Sequence, residues 1–360
     1  MKQQNENKGV EQLIPDYDLT DIGTYLYSQK TFDKITLSGG VRLDNRVLKA
    51  KDLMDGAAVK SGQFKKSFSN ISGSIGMAAQ LNNNLNIKFN IARGYRAPSI
   101  PELASNGSHE GTIRYEYGDV TLKSETSIQA DASVEFSTEH LSFIMTPFYN
   151  NFSNFIFYRK LEASGGGDSL VNVNGNDLTA FKFDQRKATM SGLEMVLDFH
   201  PHPLDWLHIQ NTFSLVSGRF KERIASSGFM PFVPAPRLVT EFRANFNKIE
   251  DHMQNFYFKA ELDNTFAQDN VFTAYHTETA TPGYTLFNLG IGTDIINKKR
   301  KPVLSLNIAA LNLGDVAYQN HLSRLKYAAE NLATGRQGVF NMGRNFSVKI
   351  NIPLSFTFLN

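Results

Sequence analysis

The sequence predicts an all-β protein, an antiparallel up-and-down transmembrane β-barrel of which residues 1–360 form one incomplete barrel domain. Three observations predict it: strict period-two alternation over runs longer than soluble strands need, connections that alternate between short and long, and a composition that fits no helical class. The chain has 28 Phe, 13 Tyr and 26 Gly, one Trp and no Cys. No window approaches the roughly 18 consecutive apolar residues of a membrane helix. The mean hydropathy is −0.30, a value barrel strands share because lipid-facing and water-facing residues average out.

The alternation is clearest in the last segment. There Phe346, Val348, Ile350, Ile352, Leu354, Phe356 and Phe358 hold one parity, and Asn345, Ser347, Lys349, Asn351, Ser355 and Thr357 the other. It recurs at Ile128, Ala130, Ala132, Val134 and Phe136 against Ser127, Gln129, Asp131, Ser133 and Glu135. Phe256, Phe258, Ala260 and Leu262 likewise oppose Tyr257, Lys259, Glu261 and Asp263. Charges in mid-strand require one wet face. Such runs give about 13 strands, near 18–29, 34–46, 68–80, 84–94, 125–138, 141–158, 185–199, 205–218, 236–247, 254–267, 284–296, 302–313 and 344–358.

The connections separate into two sets. Tight links such as Thr31-Phe32-Asp33, Asn82-Asn83-Asn84 and Asn297-Lys298-Lys299-Arg300-Lys301 alternate with links of roughly 15 to 30 residues. A meander crossing a bilayer produces this pattern, with short periplasmic turns and long extracellular loops. Bacterial barrels close with an even number of strands, and an open edge in lipid leaves backbone groups unpaired, so an odd count implies part of a larger wall. Met1 to Asn7 contains no apolar signal core, which places the chain in the cytoplasm or makes it incomplete at its amino end.

Composition also excludes. With 37 basic and 35 acidic residues the net charge is +2, too balanced for a nucleic-acid binder or a polybasic membrane-surface protein. The absence of Cys removes disulfides, thiolate metal sites and a Cys nucleophile. No Gly-x-Ser-x-Gly elbow, His-Glu-x-x-His helix or phosphate loop occurs, so no enzyme is expected. Ala163-Ser164-Gly165-Gly166-Gly167-Asp168 reads as a loop tip.

After the fourth strand come Gly94-Tyr95-Arg96-Ala97-Pro98, Glu102-Leu103 and Asp119-Val120-Thr121-Leu122-Lys123-Ser124-Glu125. With Gly40-Val41-Arg42-Leu43-Asp44, Ser191-Gly192-Leu193-Glu194 and Leu311-Asn312-Leu313-Gly314-Asp315, their order resembles the C-terminal barrel portion of TonB-dependent outer-membrane receptors. The second box is degenerate, lacking both family prolines. The resemblance spans nearly the whole chain. It implies a barrel of about 22 strands, with a plug domain and N-terminal strands absent from this chain. It further implies location in the bacterial outer membrane, contact with its lipid, and a TonB–ExbB–ExbD motor engaged through the missing N-terminal part.

The expected function is then a receptor fragment for active uptake of a small metal-containing nutrient, a haem, metal ion or metal–siderophore, with no intrinsic cofactor. Zinc, copper and cobalamin belong to the same open choice. The rival readings are a passive porin-like or adhesin-like barrel without energised transport, a barrel-embedded hydrolase and a soluble β-sandwich lectin. His109 lies between the two boxes, where haem receptors similar to this chain carry an axial-ligand histidine, and it is the candidate metal ligand. Glu110, Tyr115 and Glu116 are oxygen donors beside it. The competing reading is a histidine that packs its loop. Arg96 is a candidate ligand contact, although the stiffness of Pro98 and Pro101 favours a loop-anchoring Arg96–Glu102 pair. His276 and His321, in expected extracellular loops, are candidate auxiliary metal donors read in preference as surface histidines, and His200 and His202 are read as turn residues. Tyr17, Phe199, Trp206 and Phe358 are placed in interfacial aromatic girdles.

Overall fold

A computed structural model describes residues 1–9, 12–109, 114–250 and 252–353, with the backbone alone described for 247–250. All 13 expected strands are present: β1 (Tyr17–Phe32), β2 (Ile35–Ala50), β3 (Phe64–Gln80), β4 (Leu85–Arg96), β5 (Glu125–Ser137), β6 (Leu141–Lys160), β7 (Asn176–Phe199), β8 (Leu207–Ile224), β9 (Arg237–Glu250), β10 (Met253–Thr265), β11 (Tyr284–Ile296), β12 (Pro302–Leu311) and β13 (Asn345–Asn351). Each pairs antiparallel with the next. Among the described residues no register joins β13 to β1, so the wall stays open. The continuation of the last strand through Phe356 and Phe358 lies outside the described residues.

One face of the wall is predominantly apolar and remains exposed. In register across neighbouring strands stand Val41 and Leu26, Ile75 and Ile91, Met77 and Phe89, Phe258 and Ile291, then Ile308 and Val348. Ile75 is 75% exposed and Val348 65%. A soluble domain hides such a surface; a continuous apolar band of this extent requires lipid.

The other face is wet and ion-paired. Arg46 meets Asp21, Lys88 meets Glu135, Lys259 meets Glu241 and Glu261, and Arg237 holds Asp263 through two contacts of 2.7 Å. Asn288 donates to Glu261 at 2.7 Å. Partnering of this kind is what lets charges line a wall only partly open to water.

The two ends differ as the link lengths require. At one end β1 and β2 join through Asp33 and Lys34, with Asp33 in the left-handed region (φ 52°), which suits the twist of a tight hairpin. Asn82 and Asn297 close other short turns by accepting backbone N–H groups two residues on. Phe199, Trp206 and Phe246 are exposed at this end, Trp206 stacking on Phe246 with centroids 5.5 Å apart, an aromatic girdle.

At the other end the long connections fold inward and build the core. Leu48, Phe68, Ile100, Leu103 and Ile156 form one cluster, and Phe157, Phe220, Met230, Val233 and Phe272 a second. Tyr17 packs against the first cluster, so it serves this interior and not the outer girdle. Its parity explains the difference, since it shares the inward face of β1 with Leu19 and Asp21.

Candidate functional site

The site grows from the end of β4. Ser99 caps a short helix, α1 (Ile100–Ala104), and Glu102 closes the capping box, its Oε2 accepting the Ser99 N–H at 2.7 Å. Glu102 also accepts both contacts of the Arg96 Nη1 at 2.7 and 2.8 Å, while Arg96 Nη2 donates to Glu125 at 3.2 Å. Glu125 in turn accepts the Ile156 N–H at 2.8 Å. Arg96 therefore bridges two carboxylates and ties α1 to β5 and β6.

Beyond α1 the chain makes a small hairpin of Asn106–His109 against Arg114–Tyr117. The second arm runs parallel to Thr179–Lys182 of β7, which joins the hairpin edge to edge with the first part of that strand. Glu110 lies outside the described residues. Glu116 is buried, with its Oε1 3.0 Å from His109 Nδ1 and in contact with the Arg114 guanidinium. His109 is half-exposed beside a cavity of about 440 Å³. Tyr115 is buried and donates its hydroxyl to Asn106 Oδ1 at 2.7 Å; burial, with Tyr117 alongside, raises its phenol above the usual value. That keeps it protonated, whereas a metal-binding phenol must lose its proton.

The structure thus brings His109, Tyr115 and Glu116 onto one hairpin and sets Arg96 at its foot as an anchor. It also supplies residues the sequence did not single out. Arg114 lies 4.6 Å above the Tyr158 ring and Arg324 5.4 Å from the same ring. Tyr158 stacks on Phe232 with centroids 4.8 Å apart and planes 26° from parallel. These groups line a cavity of about 320 Å³ with Lys160, Asp168 and Phe181. Asp168 is already paired with Lys160 at 2.7 Å, and Arg114 with Glu116; Arg324 has no carboxylate partner among the described residues. The cavity is accordingly cationic with an aromatic floor. Positions 114, 158, 232 and 324 lie on separate loops and strand ends, so only their shared placement on the long-loop side was legible beforehand.

His321 is not a surface histidine. It is buried, 2.8 Å from the Thr281 hydroxyl through Nδ1 and 3.4 Å from Glu278 through Nε2. His276 is exposed, as expected.

Residues 3–313 match the family described as TonB dependent receptor-like, beta-barrel. No curated protein sequence matches the chain. Among solved structures, the copper transporter OprC is similar with a TM-score of 0.75 at 15% identity, over 94% of this chain and 48% of that one. The ferric yersiniabactin uptake receptor FyuA of Yersinia pestis gives 0.61 at 13%, over 94% and 46%. The hemophore receptor HasR of Serratia marcescens, solved with its hemophore HasA and heme, gives 0.64 at 15%, over 96% and 52%. The chain spans about half the length of the structures it matches. It belongs to the TonB-dependent receptor β-barrel family, whose members are receptors of the bacterial outer membrane and not enzymes.

Proposed function

We propose that this chain forms the recognition wall of a receptor for active uptake of a metal-containing nutrient, and that the nutrient is an anionic, partly aromatic chelate. The observation that carries the reading is the convergence of Arg114 and Arg324 on the ring of Tyr158 above a cavity of about 320 Å³. A guanidinium presents paired N–H donors that match carboxylate or phenolate oxygens, and two of them on one ring favour a ligand with more than one negative oxygen. Phe232, stacked on Tyr158, and Phe181 line the same cavity and give a conjugated ligand aromatic surface to pack on, worth about 0.5–1.5 kcal/mol beyond area burial. The names of the similar structures support a metal-containing cargo: copper, ferric yersiniabactin and heme.

His109 is the residue of this site suited to direct metal contact. Glu116 orients its imidazole through Nδ1, the arrangement that fixes metal-binding histidines in other proteins. In this reading the cargo is transported by the TonB–ExbB–ExbD motor acting elsewhere on the receptor.

Titration of the purified receptor with haem, a ferric catecholate, Zn²⁺ and Cu²⁺ tests the reading. Arg324→Ala should weaken the anionic chelate at least about tenfold, the loss of one charge-assisted hydrogen bond, and leave the free cations unaffected. His109→Ala should weaken any ligand that presents an open metal position. Unchanged affinity for every ligand in both variants contradicts the proposal. Uptake that ignores the proton-motive force contradicts its energised part and favours a passive barrel.

A further inference from the structure

At the opposite end of the wall, three side chains converge on one point. Asp198 lies at the end of β7, His200 directly follows that strand, and His208 is the second residue of β8. The β7–β8 register pairs Asp198 with Gln210 and Phe199 with Ile209, which sets His200 across from His208 on the wet face. Asp198 Oδ2 lies 3.0 Å from His200 Nε2 and 3.9 Å from His208 Nδ1, and the three ligand atoms all lie within 4.8 Å of one another. The two imidazole rings are 4.1 Å apart between centroids. All three side chains are about 30% exposed, sheltered yet reachable from water.

We propose that Asp198, His200 and His208 form a binding site for a divalent cation of the zinc class. Zn²⁺ takes imidazole nitrogen and carboxylate oxygen at about 2.0–2.2 Å, so tetrahedral ligand atoms stand roughly 3.3–3.5 Å apart. The contacts at 3.0 and 3.9 Å bracket that spacing, and closing the cluster needs side-chain rotation only. The carboxylate is also incompletely used. Asp198 Oδ1 is buried without a hydrogen-bond partner, and no lysine or arginine pairs with Asp198 among the described residues. A cation would satisfy that oxygen.

The surroundings favour the site. His140, just ahead of β6, accepts the His200 N–H at 2.8 Å through its carbonyl and orients the turn, and its ring lies 5.3 Å from that of His202. Four of the chain's eight histidines, His140, His200, His202 and His208, thus lie in or beside these two adjoining turns. The nearest strand cation in register with His208 is Arg243, which is occupied by Asn245 at 2.8 Å and by the Tyr257 ring at 4.1 Å. A bound cation would clamp the adjoining ends of β7 and β8 across the 200–206 link. Nothing in this site touches the cavity at the long-loop end, so either can fail without the other.

Equilibrium binding of Zn²⁺ to the full chain in detergent, with Co²⁺ as a spectroscopic substitute, tests the proposal. The wild type is expected to bind one equivalent that is lost or weakened at least about tenfold in both His200→Ala and His208→Ala, and that is retained in His109→Ala and in His276→Ala at the far end. X-ray absorption of the Zn²⁺-loaded wild type needs no variant and should show two imidazoles in the metal's coordination shell. A shell of oxygen alone, or equal binding by wild type and the His200→Ala, His208→Ala double variant, overturns the site.

Discussion

Replacing Ile91 with arginine places a charge on the face assigned to lipid. Ile91 sits in the middle of β4, is 46% exposed, and pairs with Ile75 on β3 and Ala130 on β5. None of the three offers a counter-charge. An arginine near the bilayer midplane of a barrel costs about 2–4 kcal/mol, which lowers the folded-to-unfolded ratio by about 30- to 1,000-fold. Asn90 is the internal control, one residue earlier and on the wet face, with its amide 3.3 Å from Asp131. Asn90→Arg gains that carboxylate as a partner and should stay within about 0.5 kcal/mol of wild type. Urea titration of the protein folded in lipid vesicles, followed by the gel mobility of the folded form, reads both. Equal destabilisation by the two substitutions, or none by Ile91→Arg, would refute the assignment of faces.

Two further outcomes follow from the loop end. A Cβ on Gly118 would overlap the backbone of Leu103 and Ala104, where Gly118 donates to the Ser105 carbonyl at 2.7 Å. Gly118→Ala should cost about 1–3 kcal/mol of local stability, read as faster proteolysis within 97–124; unchanged cleavage would show that α1 is not held by this contact. Lys326 is buried and donates to Thr279 and Thr281, and burial lowers its ammonium pKa below the usual 10.5 while Glu278 opposes the shift. Between the folded value and 10.5 the unfolded chain holds the proton more tightly, so this packing gains stability as pH rises through that window. Lys326→Met should flatten that rise in thermal transitions measured from neutral pH toward 10.5, and an identical slope in the variant would contradict it.

The wall was legible in the sequence because side-chain direction in a strand has period two, and one face in lipid forces every second residue to be apolar. Runs such as Phe346 to Ile352 needed no tertiary information. The loop side was less legible. β7 begins at Asn176, nine residues before the alternation becomes clear, because its first part pairs with Leu170–Val173 and with Arg114–Tyr117, where inward-folded loops cover it and both faces tolerate polar groups. Position near a strand end, taken without parity, points Tyr17 to a girdle, whereas its parity turns it inward. A loop histidine such as His321 carries no local sign of the Thr281 and Glu278 that bury it. The Arg96–Glu102 pair was readable from the stiff Pro98 to Pro101 segment. Arg114 and Arg324 were not, since residues 210 apart meet only through the fold.

The chain contains no cysteine, so single-cysteine scanning along β4 from Ile87 to Arg93 reports on one introduced thiol at a time. In vesicles, a water-soluble maleimide should label positions 88, 90 and 92, while 87, 89 and 91 stay protected and a fluorophore placed there is quenched by brominated lipid. Labelling that does not alternate would contradict the two-faced wall.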